Sequence, residues 1–241
     1  RDAERLARLS AEFDRLALAL LGQEWAHGDL KPENIVCSPS GMRLIDIDSI
    51  YTPELTGLTT TQLGTEGYRH PSRTESDFDR HLDDYPIALI STTLAALALD
   101  YDLYRRNDRG DGVLIDPSEA VAGTSAIVAE IERLFARAGD AAHTMILNGL
   151  LTPTHHIDGL HEALLQAVEG VPDADNLELA PRGGRWGYTD TQGRWVIQPV
   201  YRSAFDFREG YAAVQLGDVW QYIDRKARPK MICAEASAIK S

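Results

Sequence analysis

The chain has 241 residues, of which 44% are hydrophobic and 25% charged, and it carries a formal net charge of −13. Such a length and composition describe ordinary globular protein, one large domain or two modest ones. The acidity argues against binding a nucleic-acid backbone, which needs clustered Lys and Arg, and no apolar run approaches the ~20 residues that span a bilayer.

Cys37 and Cys233 are far apart and form no Cys-x-x-Cys motif. Neither a disulfide framework nor a cysteine zinc site is expected, which fits a cytoplasmic location. The opening Arg1-Asp2-Ala3-Glu4 is not a signal peptide.

Residues 4–21 predict an amphipathic helix, because Leu6, Leu9, Phe13, Leu16 and Leu20 recur at steps of three and four before Gly22. Two short strands follow, at 35–37 and 42–45, joined by the turn-forming Ser38-Pro39-Ser40-Gly41. Their pairing would hold Asn34 and Asp46 near each other. The stretch 85–99 is almost wholly apolar yet too short for a membrane span, so it reads as a buried helix. A polar loop is expected over 100–112.

Asp116-Pro117-Ser118-Glu119 is a helix start, with an N-cap, a proline at the first position and an acid in the first turn. Ile127, Ile131, Leu134, Phe135 and Ala138 form one helical stripe, and Ile157, Leu160, Leu164, Leu165 and Val168 another; both read as core. His155, His156 and His161 have no matching acid or cysteine pattern and read as helix-start and surface residues.

Turn formers without periodicity mark a linker at 170–181. Beyond it lie aromatic strands punctuated by glycine. Gly183, Trp186, Tyr188 and Asp190 recur 34 residues later as Gly217, Trp220, Tyr222 and Asp224.

The run His27-Gly28-Asp29-Leu30-Lys31-Pro32-Glu33-Asn34, with Asp46 twelve residues further on, is suited to phosphoryl transfer. Asp29 can accept a proton from a hydroxyl nucleophile, and Lys31 can neutralise the phosphoryl group. Asn34 and Asp46 are hard oxygen donors of the kind Mg²⁺ prefers. His27 reads as a packed structural histidine.

This run resembles the catalytic and metal-binding loops of protein kinases, of the Ser/Thr type with Lys two positions after Asp. Gly64-Thr65-Glu66-Gly67-Tyr68-Arg69-His70-Pro71 resembles the end of a kinase activation segment, and Asp83-Asp84-Tyr85 the start of the large C-lobe helix. The segment 184–199, with 204–214, resembles the WG (or KWG) repeat, a β-hairpin module of bacterial multi-repeat proteins.

These resemblances imply an α+β chain: a mainly helical kinase-like C-lobe over 1–169 without its small lobe, the linker, and WG repeats over 182–228, one full and one partial. The segment 229–241 fits the repeat poorly and reads as a disordered tail or a truncated unit. They further imply ATP and Mg²⁺ as cofactors, Asp29, Lys31 and Thr65 in catalysis, Asn34 and Asp46 as metal and cofactor ligands, and Asp83 as an anchor for the loop backbone. A protein substrate or partner recruited by the repeats is expected.

Several positions depart from the kinase pattern. Gly28 replaces the usual arginine, so an activation-loop phosphate switch is not expected, and Thr59, Thr60 and Thr61 are weak phosphosites. Ile47 and Asp48 replace Phe and Gly after the metal-binding Asp, and Ser72 stands where Glu is usual. No Gly-rich loop or Val-Ala-x-Lys strand is present, and only 26 residues precede His27. The sequence as it stands is therefore expected to lack phosphotransfer by itself. Two rivals remain: a small-molecule kinase of the aminoglycoside phosphotransferase type, and a non-catalytic pseudokinase or scaffold.

Overall fold

The computed structural model describes residues 2–38, 41–107, 113–169, 177–208, 210–225 and 227–233. They fall into two compact units, one built mainly from residues up to Glu169 and one from the residues beyond it.

The first unit opens with α1 (Asp2–Leu21), then a small hairpin of β1 (Ile35–Ser38) and β2 (Gly41–Leu44). It continues through α2 (Asp84–Leu99), α3 (Leu103–Asn107), α4 (Pro117–Val121), α5 (Ala126–Ala138), α6 (Ala141–Gly149) and α7 (Leu160–Val168). The core is organised around α2, which packs on α1, α5 and α6, while α1 also meets α7. Every residue of α2 from Asp84 to Thr92 is buried, as a helix apolar on all sides requires. Phe13, Ala17 and Leu20 of α1, Ile131 and Phe135 of α5 and Ile146 and Leu147 of α6 complete that core. Each large side chain so buried stabilises the unit by roughly 1.5–3 kcal/mol before entropy is counted.

Among the polar side chains buried here, Asp14 and His143 face each other. Asp14 of α1, 1% exposed, accepts a hydrogen bond from Ser91 Oγ (2.6 Å) and faces His143 Nε2 (3.3 Å). His143 Nδ1 lies 2.7 Å from Asp140 Oδ2, and Asp140 also caps α6 by accepting from His143 N.

The helix start at Asp116 forms as read: its side chain accepts from Glu119 N at 3.0 Å, with Pro117 first in α4. The stretch expected as loop after Asp100 instead contains α3. Leu103, fully buried, and Tyr104 seat it on the core, while Arg106 joins Asp100 (2.7 Å) and Glu130 of α5 (2.9 Å) at the surface. Helix α6, which carries no clear apolar stripe, lies between the two stripes recognised in the sequence. No helix among the described residues is long and apolar enough to cross a membrane.

The second unit contains two sheets. One is β3 (Glu178–Arg182), β4 (Arg185–Thr189) and β5 (Trp195–Tyr201), in that order; the other is β6 (Ser203–Ala204), β7 (Tyr211–Leu216), β8 (Val219–Asp224) and β9 (Pro229–Cys233). All pairings are antiparallel. The core is Tyr188, Ile197, Tyr201, Ala212, Val214 and Ile223, and Tyr188 Oη donates to Phe205 O at 2.7 Å.

The repeat is larger than the sequence reading drew it. Strand β3 occupies the end of the expected linker, pairing from Glu178↔Thr189 to Arg182↔Arg185. Pro181 is tolerated because β3 is an edge strand. Likewise β9 forms at the start of the expected tail, pairing Trp220↔Cys233 and Gln221↔Ile232. Thus β3-β4-β5 and β7-β8-β9 are equivalent, each opening with a two-residue turn, Gly183-Gly184 and Gly217-Asp218. The rest of the linker, 170–176, and the end of the tail, 234–241, lie outside the described residues.

Gly187 explains the glycine after tryptophan. On β4 the short interval Trp186–Tyr188 faces the longer interval Ile197–Tyr201 on β5, which bulges over it. A Cβ on Gly187 would stand 2.5 Å from Ile197 O and 2.7 Å from Pro199 N. Opposite Gln221 the register is regular, with the irregularity displaced to Tyr222/Ile223, so a side chain fits there.

Candidate functional site

The segment from Ala26 to Asn34 is a loop fixed at both ends. Ala26 pairs with Tyr51 in an isolated antiparallel bridge, and Pro32–Asn34 makes a single 3₁₀ turn into β1. Between them the backbone is held by buried Asp83, which immediately precedes α2. Asp83 Oδ2 accepts from His27 N, and its Oδ1 accepts from Gly28 N at 3.0 Å. Burial pushes the Asp83 carboxyl upward in pKa, against the two backbone donors.

His27 is fully buried. Its Nε2 lies 2.8 Å from Ile45 O and its Nδ1 accepts from Asp29 N at 3.4 Å, so the proton belongs on Nε2. It joins the loop to the segment that follows β2. Gly28 has φ +82°, and a Cβ there would meet Ser49 O at 2.2 Å. Both facts exclude the arginine that kinases usually carry at this position.

Arg73 was not singled out from the sequence. It is 6% exposed and donates from Nη1 to Gly28 O (2.9 Å) and from Nη2 to Gln62 O (3.3 Å). Burial lowers its pKa while Asp83 opposes that shift. It ties the loop to the segment leading into Thr65. The available signal was an arginine two residues after Pro71, where the kinase pattern has no marked residue.

Asp29, Lys31 and Thr65 come together although Thr65 is 34 positions beyond Lys31. Asp29 Oδ1 accepts from Thr65 N (2.7 Å) and Thr65 Oγ1 (2.9 Å), and Asp29 Oδ2 pairs with Lys31 Nζ at 3.0 Å. Lys31 Nζ also donates to Thr65 Oγ1 at 2.9 Å. Burial alone would raise the Asp29 pKa; the bonds from Lys31 and Thr65 outweigh it and hold the carboxyl below its usual range. The same bond to Asp29 raises Lys31, against its slight desolvation. At neutral pH the pair is carboxylate and ammonium.

Asn34 is buried, and its Nδ2 donates to Asp29 O at 2.9 Å, which leaves Oδ1 as the side-chain atom able to meet a cation. Ile45 N donates to Asn34 O at 3.0 Å, so Asp46 follows directly on Asn34's backbone partner. Asp46 is exposed and holds φ +63°, a left-handed conformation that Asp tolerates better than most residues but that still costs energy. One amide oxygen and one exposed carboxylate on neighbouring backbone are the hard donors that suit Mg²⁺. Ile47 is 55% exposed and Asp48 is exposed, so neither is packed as a buried anchor.

Two of the three histidines set aside in the sequence, His155 and His156, have acids beside them. His155 Nε2 lies 3.4 Å from Asp79 Oδ2, and His156 Nδ1 lies 2.8 Å from Asp84 Oδ2. The sequence separations of 76 and 72 residues hid both pairs.

A sequence profile of the WG containing repeat matches residues 186–220, from β4 to the start of β8. No curated protein matches the chain.

Proposed function

We propose that the helical unit carries the phosphoryl-transfer residues of an ATP- and Mg²⁺-dependent enzyme of the protein Ser/Thr kinase kind, and that the WG-repeat unit recruits its protein substrate or partner. The observation that carries this reading is the Asp29–Lys31–Thr65 cluster on a loop pinned by Asp83 and Arg73. Asp29, ionised and oriented by Thr65, accepts the proton of the attacking hydroxyl. Lys31, held beside it, offsets negative charge on the phosphoryl group as it moves. Asn34 and Asp46 would hold Mg²⁺, which when bound supplies charge neutralisation at the nucleotide phosphates. On the repeat unit, exposed Val200, Phe205, Tyr211, Leu216 and Val219 offer apolar contacts to a protein.

Lys31 and the segment from Gly64 to Pro71 favour the protein-kinase kind over the small-molecule rival, which normally lacks the threonine-containing segment and the Asp-x-Tyr helix start. The test is transfer of labelled phosphate from ATP by the full-length gene product, beside Asp29→Asn and Asp46→Asn. Mg²⁺-dependent transfer that falls about 100-fold or more in Asp29→Asn is expected from loss of a general base. Unchanged transfer in both variants would refute the mechanism. No transfer, together with no nucleotide-dependent thermal shift, would leave a scaffold.

A further inference from the structure

We propose that His81, Asp84 and His156 form a Zn²⁺ site, independent of the phosphoryl-transfer reading. One ligand atom from each residue lies within 4.8 Å of the others. His81 Nδ1 is 3.1 Å and His156 Nδ1 2.8 Å from the same oxygen, Asp84 Oδ2. Zinc held by nitrogen and oxygen at about 2.0–2.1 Å in a tetrahedron separates its ligand atoms by about 3.3 Å. These two edges fall within about half an ångström of that, and the third, between the histidines, is at most 4.8 Å, so side-chain rotations bring all three atoms around one ion.

The arrangement is crowded as a plain hydrogen-bond cluster. Among the described residues every hydrogen bond to the Asp84 carboxylate falls on Oδ2, which also accepts from Ile157 N at 3.1 Å. The two imidazole centroids are only 3.8 Å apart, so protonating both rings would set like charges against each other. A divalent ion removes that conflict by using the imidazoles in their neutral form.

The surroundings supply the rest of a metal site. The Asp84 side chain is 3% exposed, so its charge is poorly solvated. His156 Nε2 lies 3.0 Å from Asp158 Oδ1, the carboxylate–histidine pairing that orients a metal-bound ring. A cleft of about 350 Å³ opens on the three residues, lined also by Asp158, His161 and Glu162, which leaves a fourth position for water or a further ligand. Arg80 Nε donates to His81 Nε2 at 3.3 Å. Coordination through Nδ1 moves the proton to Nε2, and the exposed Arg80 turns away.

Titration of the tag-free, chelator-treated full chain with ZnCl₂ by calorimetry tests this, with Co²⁺ absorption reporting geometry. One ion per chain with micromolar or tighter affinity is expected, with cobalt bands of four-coordinate intensity. His81→Ala and His156→Ala, both at the surface of the cluster, should each weaken binding at least tenfold while far-UV circular dichroism stays unchanged. His155→Ala, on the neighbouring Asp79 pair, should bind as the parent does. Absence of binding up to millimolar Zn²⁺, unaltered binding in both cluster variants, or equal loss in His155→Ala would each overturn the assignment.

Discussion

Raising the pH from 6 to 9.5 should weaken the helical unit through one buried residue, His143. Both its ring nitrogens face carboxylates, Asp140 at 2.7 Å and Asp14 at 3.3 Å, and only the imidazolium can donate to both. Burial opposes the charge and is the largest single influence; the bonds to Asp14 and Asp140 outweigh it and raise the pKa from 6.5 to about 9. A folded-state pKa above the unfolded value means stability that is complete below pH 6.5 and lost as pH rises through about 9. The difference amounts to about 3 kcal/mol. The assay is urea unfolding followed by circular dichroism at 222 nm, which reads the helices, on the parent and His143→Gln. The parent should lose about 3 kcal/mol more than the variant across this range. Equal losses in the two proteins would refute the reasoning, because the ordinary titration of surface groups is common to both.

Three further outcomes are expected. Gly187→Ala places a methyl against the β5 backbone and should destabilise the repeat unit by roughly 1–3 kcal/mol, seen as a lower midpoint of tryptophan fluorescence on heating. Ala227, at φ +56°, should gain about 0.5–1 kcal/mol on replacement by glycine, since relief of left-handed strain exceeds the entropy that glycine loses; a lower midpoint would contradict this. Asp83→Ala leaves the buried His27 and Gly28 amides without their acceptor, costing roughly 1–3 kcal/mol for each, and amide exchange at Gly28 should accelerate while exchange in α5 changes little.

Much of the helical unit was legible because its signals are local. The stripe of α1, the apolar run of α2 and the Asp116 cap each state their structure within a few residues. Helix α3 was not legible, since five residues with one buried leucine and one half-buried tyrosine are too few to show a period, and α6 has too little amphipathic contrast. The site separates in the same way. Asp29, Lys31 and Asn34 sit within one short motif, whereas Arg73 and the His81–Asp84–His156 cluster are assembled by chain segments with no common pattern. In the repeat unit, Trp186 and Trp220 showed the 34-residue period, but β3 and β9 carry no tryptophan to mark them. Only the pairing register shows that each unit contains three strands.

A turn in each repeat is held from its two ends. Asp190 receives Gln192 N, Arg194 N and Arg194 Nε, and its own amide donates to Arg194 O. Asp224 does the same with Arg228 N, Arg228 Nε and Arg228 O. In the first turn these bonds join the side chains of Asp190 and Arg194, at either end, to each other and to backbone. In the first copy the side chains of the intervening Thr191 and Gln192 take no part in these bonds. Successive copies can exhibit different chemistry at equivalent points on an unchanged frame, so the frame sets the spacing and the tips set the message.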